Sequence, residues 1–133
     1  MPTKVIFDTN FLLIPIRFGV DIFSEAERVL ETIVEFYVTE TVLNEIDILK
    51  GKSKPSFIRE LEFAEKLAQQ CSIINVGIVP RETVDDSLIR VAKNDDYIVA
   101  TTDTALRRKL REANVRVLYL RQEQFLELDG TIK

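Results

Sequence analysis

Short apolar runs and amphipathic helical segments alternate along nearly the whole chain, and that order most restricts its fold. The first run, residues 3–8 (TKVIFD), reads as a buried strand ending on a carboxylate. Further strands are expected at 36–38, 72–76, 97–101 and 115–120. Between them lie segments of helical period. One opens at Asp21 and lines up Ile22, Phe23, Ala26, Val29, Leu30, Ile33 and Val34; others span 39–50, 57–70, 83–94 and 104–113. Asn10 is expected to cap the segment after the first strand, and Pro15 to keep it short. Residues 51–55 (GKSKP) read as a loop, and the tail from Gln122 carries no clear pattern. Strands alternating with helices predict an α/β fold with a mainly parallel sheet. The 133 residues fit one domain over 1–133, since single domains commonly run to about 100–150 residues.

The chain contains no histidine. That removes the Ser-His-Asp triad, the Cys-His dyad, His-ligated zinc and the imidazole base. Catalysis would have to run on carboxylates, Lys, Tyr, hydroxyls, or a metal held by oxygen. Carboxylates favour hard cations such as Mg²⁺ or Mn²⁺. No apolar run approaches the roughly 18 residues of a membrane helix, and the N-terminal segment lacks signal-peptide architecture. The expected address is therefore the cytoplasm, with no membrane partner. The lone cysteine, Cys71, excludes an intramolecular disulfide and reads as core. A net charge of −4 opposes nucleic-acid binding by bulk electrostatics, unless acids gather at one site and bases elsewhere.

Ligands of open parallel sheets bind beyond the carboxyl ends of the strands. Asp8 lies there after VIF and Asp103 after YIVATT, although either could simply cap a turn or helix. If their strands are neighbours, the two carboxylates repel unless a cation sits between them. Glu45 falls on the wheel beside Val42 and Leu49, at the border of its helix's apolar face; Asp47 points away. In the pair Asp85-Asp86, Asp85 lies among Leu88, Ile89 and Ala92, while Asp86 lies outside with Lys93. Thr83 and Asp86 also have the spacing of a capping box, which gives Asp86 a structural task. Asp8, Glu45, Asp85 and Asp103 together suit divalent-metal cleavage of a phosphodiester, where the metal acidifies water and offsets charge on the leaving oxygen.

At these residues the sequence resembles the PIN-domain nucleases. The strand ending in Asp8-Thr9-Asn10 is similar to the family's opening motif, and Glu45 takes its second acidic position. Asp85 matches the third acid, with Asp86 left as the rival for that place. Thr101-Thr102-Asp103 resembles the closing motif, Thr101 supplying its hydroxyl. The resemblance runs from Val5 to about Leu120. It implies a three-layer fold with a mainly parallel sheet flanked by helices, and Mg²⁺ or Mn²⁺ at the four acids. It further implies cleavage of single-stranded or structured RNA, with Asn10, Thr101 and Asp86 in support, and homodimers, which family members often form. The stretch YIVATTDTALRRKLRE looks more like PIN proteins that process small-subunit ribosomal RNA, with ribosome-assembly partners, than like VapC toxins.

Arg107, Arg108, Lys109 and Arg111 follow Asp103 on one helix, and Lys50, Lys52 and Lys54 mark a loop. Such runs are either solvated faces or phosphate contacts. The aromatics are mostly Phe at core spacing and offer no stacking platform. Three other readings compete: a VapC-type toxin ribonuclease, a non-catalytic PIN scaffold that binds RNA or protein, and a haloacid-dehalogenase-like phosphatase. The last wants a second Asp where Asn10 stands. Against the scaffold, a pure binding module has no reason to keep repelling carboxylates together.

Overall fold

The computed structural model describes residues 2–131. Strand β1 (Thr3–Phe7) leads through a 3₁₀ turn (Thr9–Leu13) into a short helix α1 (Ile14–Phe18) and then α2 (Ile22–Leu30). There follow β2 (Val34–Thr39), α3 (Glu40–Lys50), α4 (Pro55–Ala68) and β3 (Ser72–Ile74). The second half comprises α5 (Val84–Asp95), β4 (Ile98–Ala100), α6 (Thr104–Glu112), β5 (Val117–Arg121) and β6 (Phe125–Asp129). The strands form a six-stranded sheet in the order β3-β2-β1-β4-β5-β6. Only β6 runs antiparallel to its neighbour.

The order explains where a site can form. From β1 the chain winds to β2 and β3 on one side, then returns to β4 and β5 on the other. The winding reverses between β1 and β4, which pair directly through Val5↔Ile98, Ile6↔Val99 and Phe7↔Ala100. A crevice opens at such a reversal, beyond the carboxyl ends of the strands. Asp8 stands at its edge, and its N–H donates to the Ala100 carbonyl at 2.9 Å, extending the β1–β4 ladder by one step.

Strand β1 is buried on both faces. Val5 and Phe7 join a core with α2, α3 and α4, whereas Ile6 joins a second core with α5 and α6. This gives the three layers. Phe7, fully buried, stacks on Phe11 and Phe36 with centroids 5.5 and 5.3 Å away. Its truncation to Ala should cost about 3–5 kcal/mol, so the strand that carries Asp8 is firmly held. Among the described residues no helix is long and apolar enough to cross a membrane.

Four expectations need correction. Helix α2 stops at Leu30 because Glu31 adopts the left-handed conformation at φ 55°. Ile33 is then 75% exposed, and Val34 enters the sheet opposite Thr3. Asn10 caps nothing; the cap of the 3₁₀ turn is Asp8, whose carboxylate accepts from the Thr9 N–H. Of the lysines read as marking the loop, Lys50 instead closes α3, as the helical segment 39–50 had it, with its ammonium 2.9 Å from Glu65. The patternless tail folds back as β6, through a tight turn with Gln122 and Glu123 at positive φ (54° and 57°), the backbone that two-residue hairpins favour.

Candidate active site

Asp8 is the centre of the acidic cluster. One carboxylate oxygen accepts from the Thr9 N–H and the other from the Thr101 hydroxyl, both at 2.9 Å. Burial nevertheless raises its pKa above the usual carboxylate range, and repulsion from Asp85 and Asp103 adds to the rise. Thr101 is 1% exposed. Its oxygen also accepts from the Asp103 N–H at 3.1 Å, so its single proton is directed to Asp8. Asp103 caps α6, with Oδ1 accepting from the Ala105 and Leu106 N–H groups at 2.9 and 3.1 Å.

Glu45 reaches the cluster from α3. Its side chain stands at the surface, yet the neighbouring protein desolvates it enough to raise its pKa, with Asp8 and Asp85 adding repulsion. The nearby acids that could compete with it are engaged elsewhere. Glu40 accepts the Val76 N–H on both oxygens at 3.1 Å. Asp47 is exposed and lies 3.9 Å from the Lys50 ammonium.

The Asp85-Asp86 pair divides in space. Half-buried Asp85 acts electrostatically on both Asp8 and Glu45. Asp86 is exposed, and its charge bears on Glu82. Its N–H donates to the Thr83 hydroxyl at 3.0 Å, which is half of the expected capping box; its carboxylate does not return the bond.

Between Asp8 and Glu45 lies a cavity of about 20 Å³, also lined by Thr9, Thr39, Thr41 and Ser87. It has room for one water-sized species. The Thr9 hydroxyl is buried beside it with no hydrogen bond, the one such buried side-chain atom among the described residues. It lies near enough to Glu45 to steady its charge without the geometry of a formed bond. Oxygen donors, mutual repulsion and an orphaned hydroxyl on a water-sized cavity fit a hard cation. Among the described residues no three acidic or cysteine side chains stand close enough to ligate one ion together. A cation held by one or two of the carboxylates and its own waters suits this spacing, as Mg²⁺ commonly binds.

The basic residues of α6 separate into two pairs. Arg107 and Arg111 both bind Asp129 of β6, at 2.8 and 3.3 Å. Arg108 and Lys109 are exposed and make no ion pair among the described residues. Asn10 is exposed, without a side-chain hydrogen bond among the described residues. Cys71 is half-buried at the edge of the core, and burial pushes its thiol up to about 11, far from a reactive thiolate. Sequence reading quoted Thr9 only as part of the opening motif and missed the lining residues Thr39, Thr41 and Ser87, since small hydroxyl residues at strand and helix ends carry no pattern of their own.

A parallel sheet with acids gathered at its reversal point is the architecture of PIN-like domains. The chain belongs to the PIN-like domain family, which it matches over residues 5–123. It is 31% identical to ribonuclease VapC4 of Methanocaldococcus jannaschii, over 97% of this chain and 98% of that protein. Its fold is similar to that of the PIN domain endonuclease Utp24, at a TM-score of 0.80 and 19% identity over 99% of this chain and 95% of the other. It is also similar to the structure of VapBC2 from Rickettsia felis bound to a promoter DNA fragment (TM-score 0.64, 13% identity, 90% and 100% covered).

Proposed function

We infer that this protein is a divalent-metal-dependent endoribonuclease that cuts single-stranded RNA. The observation that supports this most is the placement of half-buried Asp8, whose carboxyl burial holds above the usual carboxylate range, among Glu45, Asp85 and Asp103, next to a water-sized cavity. Asp8 and Glu45, which border the cavity, would hold Mg²⁺ or Mn²⁺, with Asp85 and Asp103 adding negative field. A cation bound there acidifies water and offsets charge that develops on the leaving oxygen.

The chain's own groups have distinct tasks. Thr101 donates to Asp8 and so keeps one carboxylate oxygen turned into the β1–β4 crevice. Asp103 ties its Oδ1 to the start of α6, which leaves Oδ2 for the site. Glu45 brings a second carboxylate to the rim of the cavity, opposite Asp8, where it would share in holding the cation. Thr9 offers an unused hydroxyl to a water in the same space. Arg108 and Lys109, which make no ion pair among the described residues, are the cations of α6 left to meet phosphates.

Two biological settings follow. The segment around Thr101-Thr102-Asp103, which resembles PIN proteins that process small-subunit ribosomal RNA, favours processing of structured ribosomal RNA precursors in the cytoplasm. The 31% identity to VapC4 over both whole chains favours a toxin ribonuclease that pairs with an antitoxin. Purified protein is incubated with single-stranded RNA, duplex RNA and a precursor ribosomal RNA, in Mn²⁺ and in EDTA. Metal-dependent cutting of the single strand is expected. One discrete cut in the precursor supports processing; cutting of many cellular RNAs with growth arrest on expression supports the toxin. RNA binding without any cleavage would leave the scaffold.

A further inference from the structure

A second and larger cleft, of about 420 Å³, adjoins the acidic cluster. It shares Thr101 and Asp103 with the site and extends past Arg107 and Tyr119 to Arg17 and Phe18. Its volume is that of a small-molecule site. The cations in it are already neutralised: Arg17 Nε lies 2.6 Å from Glu60, and Arg107 Nε lies 2.8 Å from Asp129. A phosphate seeks free charge, so this cleft is poorly made for one.

It is well made for a flat ring with polar edges. The Arg107 guanidinium lies 3.7 Å above the Tyr119 ring centroid, and Asp129 pins its edge. Its plane is thereby fixed, and guanidinium planes stack on unpaired bases. Phe18 is 39% exposed at the cleft although it is a large apolar ring. The Asn10 amide, with no side-chain partner among the described residues, lies at the border with a donor and an acceptor to offer.

The geometry points to this cleft as the binding site for one unpaired nucleobase next to the scissile phosphate, with Phe18 and the Arg107–Tyr119 stack as its walls. Because the cleft shares Thr101 and Asp103 with the acids, a base seated in it places its own backbone at the cluster. The site selects unpaired RNA, since a base in a duplex cannot leave its stack without added cost. The inference rests on the nuclease reading above and specifies which part of the substrate is recognised.

The test uses a short single-stranded RNA whose cut site in Mn²⁺ is mapped, then a series in which one nucleotide at a time is made abasic. Stacking contributions of the usual size predict that one abasic position beside the cut lowers kcat/KM by about tenfold or more. Phe18→Ala, at a half-exposed position that tolerates truncation, should lower kcat/KM on intact RNA by a similar factor. The same variant should leave the sensitive abasic substrate unaffected, because the lost partner is already missing. Tyr119→Leu, with circular dichroism to confirm folding, should behave alike. Equal kcat/KM on every abasic RNA would discard the base site while keeping the nuclease. So would an equal loss by Phe18→Ala on intact and abasic RNA. Wild-type protein that cuts none of the series in Mn²⁺ would discard both.

Discussion

The Thr101 hydroxyl donates to Asp8 Oδ2 at 2.9 Å while accepting the Asp103 N–H at 3.1 Å, so one buried side chain couples the carboxyl ends of β1 and β4. Its removal should act at two levels. Thr101→Val keeps shape but leaves the Asp103 N–H without its partner, at a cost of about 1–3 kcal/mol in stability. It also frees Asp8 to turn, which should weaken Mn²⁺ binding about 10- to 100-fold, as loss of a ligand-orienting partner commonly does. Thr101→Ser keeps the hydroxyl and should recover most of that affinity. Calorimetric titration of Mn²⁺ into the three proteins checks this, and equal affinities in all three would deny Thr101 its role.

The raised pKa of Asp8 predicts an inverted response to charge removal. A carboxyl whose folded pKa exceeds its unfolded value of 3.8 binds its proton more tightly in the folded state. Metal-free protein therefore gains stability as pH falls from the raised value toward 3.8, and at neutral pH the ionised Asp8 destabilises it. Asp8→Asn keeps an acceptor for the Thr9 N–H and removes the charge. At pH 7 without metal it should raise stability by about 0.5–2 kcal/mol. Added Mn²⁺ should raise the Tm of the wild type and leave the variant nearly unchanged. Thermal denaturation from pH 4 to pH 8, with and without Mn²⁺, gives all of these at once. A variant less stable than wild type in EDTA at pH 7 would contradict the assignment of Asp8 as a strained site group.

Asp85 and Asp86 differ by one position and face different charges. Asp85→Asn removes repulsion on Asp8 and Glu45 and should lower RNA cleavage by about 100-fold, near the scale of losing one preorganised electrostatic group. Asp86→Asn touches the electrostatics of Glu82 and should change cleavage less than about threefold. Reversed effects would show that the third acid is Asp86.

Unpaired cations should carry the phosphate contacts. Replacing Arg108 and Lys109 together by Gln should weaken RNA binding and make the slope of log affinity against log salt shallower by about 1.4 for single strands. Arg111→Gln, whose charge Asp129 already offsets, should shift the slope far less. Binding titrations from 50 to 300 mM salt, a range set by the usual reach of counterion effects, measure both.

What the sequence disclosed and what it hid follow from the range of the forces involved. Strand period and helix period are local, and they locate Asp8 and Asp103 beyond strand ends, put Glu45 at the border of its helix's apolar face and turn Asp85 inward. The side-chain pairings are not local. Asp129, on a strand that no pattern announced, takes Arg107 and Arg111 out of a row that reads as four equal cations. Ile33 and Val34 continue a helical stripe in sequence, but a left-handed Glu31 and the pairing of Val34 with Thr3 override it. Asp8, read as a site candidate, itself caps the 3₁₀ turn, which leaves Asn10 without the capping task expected of it. Phe7, Phe11, Phe23, Phe36 and Phe57 do fill or flank the core, whereas Phe18 and Phe63 are each 39% exposed.

The central claim is that the acids around Asp8 make this protein a metal-dependent nuclease. The most direct measurement is the single-turnover rate of single-stranded RNA cleavage in Mn²⁺ by wild type and by Asp8→Asn, with circular dichroism on both. The account predicts a folded variant that still binds RNA, since lost acidic charge reduces repulsion of phosphates, but cuts it at least 100-fold more slowly, with wild-type cutting abolished by EDTA. A folded Asp8→Asn protein that cuts at the wild-type rate would contradict it.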